Sequence, residues 1–451
     1  MNSDGDLDSA RRGLGSLAAQ PGGVFALRAG VALLPGRGFV EDVTVLVENG
    51  RIAAVTAGGD PRPEGSGSEV SGIEVAGIEV AGIEVAGIEV AGIEVVSALS
   101  ATLLPGLVDS HVHLSFSGGP DPVGDVVGVS DVELGVRAYR NSQVALARGV
   151  TTVVDCGARG AVVIKVRDLL EDGALPGPRV LAGGAPITTT AGHCAWLGAC
   201  ADSLDEVVRE ARRQVGAGAD FLKVMLTGGN LTPGSNPSML QYPPEVVLRL
   251  AAEARRLGRV LVAHAHSEEA VALAAQAGIG VVAHGTCRSQ NGIGISDETL
   301  QGLLDAGTVV DATITVGVLG DPEHAPAGAG ARARVRMEML PVFKSMHRAG
   351  VPLLAGTDGG VTNVGHGGVA RAVLALHREV GLDLVDALGA GTLNPAAAFG
   401  LAETTGSIAC GLSADLVLLD GDVRADPDLL LAPAAVWSRG RLAATAGSLS
   451  I

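Results

Sequence analysis

Residues 103–114 read LLPGLVDSHVHL, an apolar run that closes on His111-Val112-His113. Seven further runs of the same character follow: GVTTVVDCG (149–157), RVLAGGAPITT (179–189), DFLKVMLTGG (220–229), RVLVAHAHS (259–267), GIGVVAHGT (278–286), GTVVDATIT (307–315) and VPLLAGTDGG (351–360). Helical patterns lie between them, among them SLDEVVREARRQVGAG and PPEVVLRLAAEARRLG. Ser203 with Glu206 predicts a capping box, and Pro243-Pro244 predicts a helix start. Near-continuous apolar strands belong to parallel sheets covered on both faces. Eight such strands alternating with helices predict an α/β fold, a (β/α)8 TIM barrel spanning 103–402.

Outward from the barrel, both chain ends read as a small β-sandwich domain. Its N-terminal part spans 21–102, where VFALRAGVALL and VEDVTVLVENGRIAAV are strand-like and Asn49-Gly50 predicts a hairpin turn. Its C-terminal part spans 403–451, with SADLVLLDGD (413–422) and AAVWSRGRL (434–442). Residues 1–20 read as a disordered tail. Residues 72–95 repeat GIEVA five times, the last copy ending in Val. A period of five fits neither helix nor strand, and glycine interrupts any strand. The expectation there is an expanded surface loop that adds one Glu per copy.

The chain has 451 residues and is 47% hydrophobic but only 2% aromatic, so Val, Ile, Leu and Ala must fill the core. A formal net charge of −17 argues against nucleic acid and anionic membrane as partners. It leaves a small-molecule substrate, with room for a homo-oligomer. The acidic N-terminus lacks the basic start and apolar stretch of a signal peptide. Five scattered cysteines without a C-x-x-C pair read as a reduced, cytoplasmic protein without a structural zinc knuckle.

Function in such a barrel sits at the C-terminal ends of the strands. The first run ends in His111 and His113, whose side chains share one side by strand alternation. The fourth carries Lys223, the fifth His264 and His266, the sixth His284 and the eighth Asp358. Imidazoles and carboxylates are ligands of zinc and similar ions. Five strand ends converging in this way predict a metal site.

PGLVDSHVHL, DFLKVMLTGG, VLVAHAHS, VVAHG, LLAGTD and TLNPAAAFGLAETTGSIACGLSADLVLLD together resemble the amidohydrolase superfamily, over about residues 22–442. TAGHCAWLG and TGGNLTPGSNP make the imidazolonepropionase-like and Xaa-Pro dipeptidase-like branch the most similar one. The resemblance implies two divalent metal ions, zinc in the first instance. His111, His113 and Asp358 would hold one, His264 and His284 the other. Lys223 would bridge them as a CO2-derived carbamate, since an ammonium cannot ligate a cation. A metal-bound hydroxide would attack an amide carbonyl while Asp358 moves the proton. The expected substrate is a dipeptide or an N-acyl amino acid. His193, Tyr242 and Arg288 are the expected substrate-binding residues, Arg288 through a carboxylate.

His266-Ser267-Glu268-Glu269 carries a second reading, because His-x-x-Glu at this strand resembles the one-metal deaminases of the same superfamily. His266 would then hold the metal and Glu269 would shuttle protons, giving deamination or hydrolysis of a cyclic amidine or amide. Alternation puts His264 and His266 on one side, so the pattern does not choose between them.

Overall fold

The computed structural model describes residues 23–58, 79–80, 83–84, 94–289, 292–315 and 329–445. The tail expected at 1–20 and most of the 72–95 repeat lie outside them. Within the repeat, Glu79–Val80 pairs antiparallel with Ile83–Glu84. No described helix is long and apolar enough to cross a membrane.

The strands anticipated from the apolar runs are β1 (Leu107–Val112), β2 (Val150–Asp155), β3 (Arg179–Ala182), β4 (Leu222–Met225), β5 (Leu261–Ser267), β6 (Val281–Ser289), β7 (Val309–Asp311) and β8 (Leu353–Leu354). Parallel pairing runs β1-β2-β3 in one arc and β4-β5-β6-β7-β8 in the other. Two parallel bridges join the arcs into a TIM barrel, Ile187 with Val224 and Val112 with Gly359. The hydrogen bonds there are Ile187 N to Lys223 O at 2.8 Å and His113 N to Gly359 O at 2.7 Å. Every residue of β1, β2, β4 and β5 is buried, which is why these runs are apolar without alternation.

Between the strands lie α1 (Asp131–Ala147), α2 (Val162–Glu171), α3 (Leu204–Gly216), α4 (Pro244–Arg256), α5 (Glu268–Gln276), α6 (Asp297–Ala306) and α7 (Ala329–Ala349). The Ser203/Glu206 capping box forms at the start of α3, and Pro244 opens α4. α5 begins directly after β5, with the Ser267 hydroxyl accepting from Ala270 N.

The chain divides into two compact units. One comprises Val108–Leu146 with Thr152–Gly400, the other Met1–Leu107, Ala147–Thr151 and Leu401–Ile451. The second holds a seven-stranded sheet in the order 441–445, 435–438, 416–419, 94–105, 25–34, 38–48, 51–57, so both chain ends build one β domain. Asn49 and Gly50 both have positive φ, 51° and 78°, and turn a hairpin that pairs Glu48 with Arg51. Its core includes Leu27, Val45, Leu103, Leu416 and a fully buried Trp437.

Candidate metal centre

The C-terminal ends of the barrel strands converge on a cavity of 350 Å³ lined by His111, His113, His193, Lys223, His264, His266, His284, Arg288 and Asp358. Among the described residues, two groups could hold an ion, the ligand atoms within each lying at most 4.8 Å apart: His111, His113 and Asp358, and His264, His266 and His284.

In the first group, Asp358 Oδ1 lies 3.5 Å from His111 Nε2 and 3.3 Å from His113 Nε2. Asp358 N donates to His111 O at 2.8 Å, and the residue has a left-handed φ of 57°. His113 Nδ1 lies 2.9 Å from Gly157 O. A carbonyl only accepts, so Nδ1 carries the proton and Nε2 turns to the cavity. Burial pulls the His113 pKa down, but the Asp358 carboxylate outweighs it and holds the ring above its ordinary value.

In the second group, the β5–β6 register pairs His264 with Ala283 and Ala265 with His284, then shifts before Ser267 pairs with Arg288. His264 Nε2 donates to Gly228 O at 3.0 Å, leaving Nδ1 free. Thr286 Oγ1 lies 3.0 Å from His266 Nδ1, and Thr313 Oγ1 lies 2.9 Å from His284 Nδ1. His264 lies 4.6 Å, ring centre to ring centre, from each of His266 and His284. Burial, then neighbouring imidazoles and cations, hold His264, His266 and His284 well below the ordinary histidine range. All three therefore offer lone pairs rather than charge.

Lys223 is 1% exposed, and its Nζ has no hydrogen-bond partner among the described residues. Its charge bears on His111 as well as on His264, His266 and His284. As a carbamate, Lys223 would present anionic oxygens to the cavity that both ligand groups line. It fits a bridging anionic ligand, so the donor set suits two divalent cations.

The expected substrate residues separate. His193 lines the cavity, with its ring centre 4.7 Å from His264 and Nδ1 3.1 Å from Thr232 Oγ1. A Cβ at Gly229 would stand 2.3 Å from His193 Nε2, so only glycine lets that loop pass the ring. Arg288 lines the cavity too, and its Nε is buried without a partner. Tyr242 does not: its buried hydroxyl donates to Ala201 O at 2.8 Å, so the sequence expectation is corrected to a structural role. Glu269 is corrected as well. It is exposed on α5 and lines a different groove with Pro244, Glu298 and Asp305, because the first helical turn rotates it away from the strand ends. The His-x-x-Glu reading therefore lacks its acid, although His266 stands in the cavity.

Sequence reasoning missed the threonines. Thr286, Thr313 and Thr232 hold imidazoles, and Thr357 donates to Asp109 Oδ2 at 2.7 Å beside Asp358. A threonine at a strand end reads as ordinary β propensity.

A model of the amidohydrolase family matches residues 102–445. An ochratoxinase of Aspergillus niger is 28% identical over 377 residues, covering 75% of each chain. Among solved structures, a Xaa-Pro dipeptidase with bound methionine superposes with a TM-score of 0.78 at 23% identity, over 93% of this chain and 99% of that one. A molinate hydrolase superposes with a TM-score of 0.72 at 25% identity, over 94% and 95%.

Proposed function

The chain belongs to the amidohydrolase family and is a hydrolase acting on carbon–nitrogen bonds; from that premise we propose that it cleaves the amide bond of an N-acyl amino acid or dipeptide. The observation that carries this reading is the buried Lys223 amine, without a hydrogen-bond partner among the described residues, in the cavity that both ligand groups line. His111, His113 and Asp358 would hold one divalent cation, His264 and His284 the other, with Lys223 as a carbamate between them. Zinc fits this donor set. Two such cations supply Lewis-acid activation of water and of the substrate carbonyl.

The chain's own residues do the rest. Asp358, beside His111 and His113, takes the proton of the attacking water and passes it to the leaving nitrogen. Arg288 pairs the substrate carboxylate, supported by its unpartnered Nε. Phe116, Met225, Leu231, Met339 and Val361 give the cavity an apolar wall suited to a leucine- or phenylalanine-like group. His193 lies against the His264 side and closes the cavity over the reacting carbonyl.

Elemental analysis combined with a screen of dipeptides and N-acyl amino acids tests the proposal. Two metals per chain and amide turnover are expected. One metal per chain, with Lys223→Ala fully active, would overturn the bridged pair.

A further inference from the structure

Among the three cavity histidines of β5 and β6, His266 is the one the proposed reaction leaves unused. Its hydrogen bonds nevertheless fix its state. Thr286 Oγ1 donates to His266 O at 3.1 Å. A hydroxyl has one proton, so the 3.0 Å contact from the same oxygen to His266 Nδ1 must be an Nδ1–H donation to it. Nδ1 thus carries a proton, which leaves Nε2 of this cavity-lining ring as the atom to accept. The backbone that carries the ring is tied as well, His266 N donating to Thr227 Oγ1 at 3.2 Å.

The position of this acceptor matters. His264 and His284 each lie 4.6 Å away between ring centres. Arg288 lines the same cavity, and its strand partner is Ser267, the next residue after His266. In an N-acyl amino acid the amide nitrogen is bonded both to the reacting carbonyl carbon and to the carbon that bears the carboxylate. With the carbonyl at the ligand groups and the carboxylate on Arg288, the amide N–H falls between them. His266, in ring contact with His264 and His284 and one residue from the strand partner of Arg288, is the histidine near that position.

We propose that His266 makes this enzyme selective for secondary amides, its Nε2 accepting the scissile N–H of an N-acyl amino acid whose carboxylate sits on Arg288. This deepens the function proposed above and rests on it. Tertiary amides, including every Xaa-Pro bond, have no such hydrogen. They leave a buried acceptor unpaired and press a carbon against it. A buried polar atom deprived of its partner costs on the order of a 10- to 100-fold loss in kcat/KM.

The test uses the metal-replete enzyme with N-acetyl-leucine and N-acetyl-phenylalanine, and with the N-methyl counterpart of each. Wild type, His266→Gln and His266→Phe are compared by the ratio of kcat/KM for the N–H substrate to that for its N-methyl analogue. That ratio does not depend on the fraction of each variant that is folded. The wild-type ratio should exceed the His266→Phe ratio by about 10- to 100-fold. His266→Gln, whose side-chain carbonyl can still accept, should lie between them with its metal content unchanged. Equal ratios in wild type and His266→Phe would overturn the proposal, and so would the loss of a metal from His266→Gln, which would make His266 a ligand. Failure of wild type to cleave any of these N–H substrates would instead refute the parent reading, and this one with it.

Discussion

Asp358 sits in the left-handed region at φ 57°, a conformation that costs a non-glycine residue on the order of 1 kcal/mol or more. The structure keeps it there with Asp358 N bonded to His111 O and with Thr357 bonded through both N and Oγ1 to Asp109. Asp358→Asn preserves size but removes the base, so kcat should fall by at least about 10²-fold. The circular dichroism melt should hardly move, because the backbone ties remain. Near-normal turnover by that variant would end the proton-shuttle assignment. Asp109 supports a different prediction. Burial raises its pKa to about 8, with the charge of Asp311 adding and the bonds from Thr357 and His111 opposing. Between its ordinary 3.8 and 8 the folded chain holds a proton that the unfolded chain has released, so stability falls as pH rises through this window. Asp155 and Asp311, raised to about 6, finish titrating earlier. The buried imidazoles His111, His264, His266 and His284 act below 6.5 and with the opposite sign. In chelator, wild type should therefore lose Tm between about pH 6.5 and 8 more steeply than Asp109→Asn. Parallel melting curves would exclude the buried, protonated Asp109. The histidines were readable in sequence because strand alternation decides which side they face. Tyr242 and Glu269 were not, because a loop path and the rotation of a helix decide their direction.

At the level of elements, each cavity imidazole is a strand end plus a neighbour that fixes its ring. β5 supplies His264 and His266 on one side by alternation, and after the register shift between Ala265 and Ser267, Arg288 pairs with Ser267. β6 supplies His284 at φ 70°, and the chain just beyond β7 supplies Thr313 at φ 40° to hold it. Strand identity was legible because β1, β2, β4 and β5 are buried along their whole length, so the apolar runs had no competing helical period. Register shifts and left-handed strand ends leave no such mark, since they depend on what the neighbouring strand presents. Thr313→Val keeps the shape of the side chain but strands the His284 Nδ1. Groups that orient metal-binding histidines are worth about 10- to 100-fold in metal affinity. The variant should therefore give up metal to a competing chelator at about 10- to 100-fold lower chelator concentration, with its far-UV spectrum unchanged. Unaltered metal retention would show that the Thr313 contact does not orient the ring.

Over the whole molecule, the series of eight apolar runs anticipated the barrel, but not how it closes. Closure passes through Ile187 and Gly359, both outside the regular strands, in single bridges that no periodicity marks. The β domain was legible for a different reason: its hairpin turn, Asn49-Gly50, has a strong local signal, whereas the return of 416–419 to pair with 94–105 is a long-range event. Between these two regions of the β domain's sequence lie the GIEVA units. Their only polar side chain is Glu, and none of the residues proposed for the metal centre belongs to them. The strand Glu94–Pro105, which begins inside the last unit, takes its register from Phe25–Leu34 on one side and Leu416–Leu419 on the other. Removing whole units upstream of it changes neither pairing. It shortens the connection between Ala57 and Glu94, and closure entropy varies only with the logarithm of length, about 0.6 kcal/mol per doubling. Deleting the two units at 82–91 also removes only two acidic charges from a net −17. Such a deletion should leave kcat/KM within about twofold of wild type and shift stability by a few tenths of a kcal/mol at most. If the shortened chain instead melts far earlier or loses turnover, the repeat packs against the sheet and sets its register, and the length of this connection becomes part of the fold.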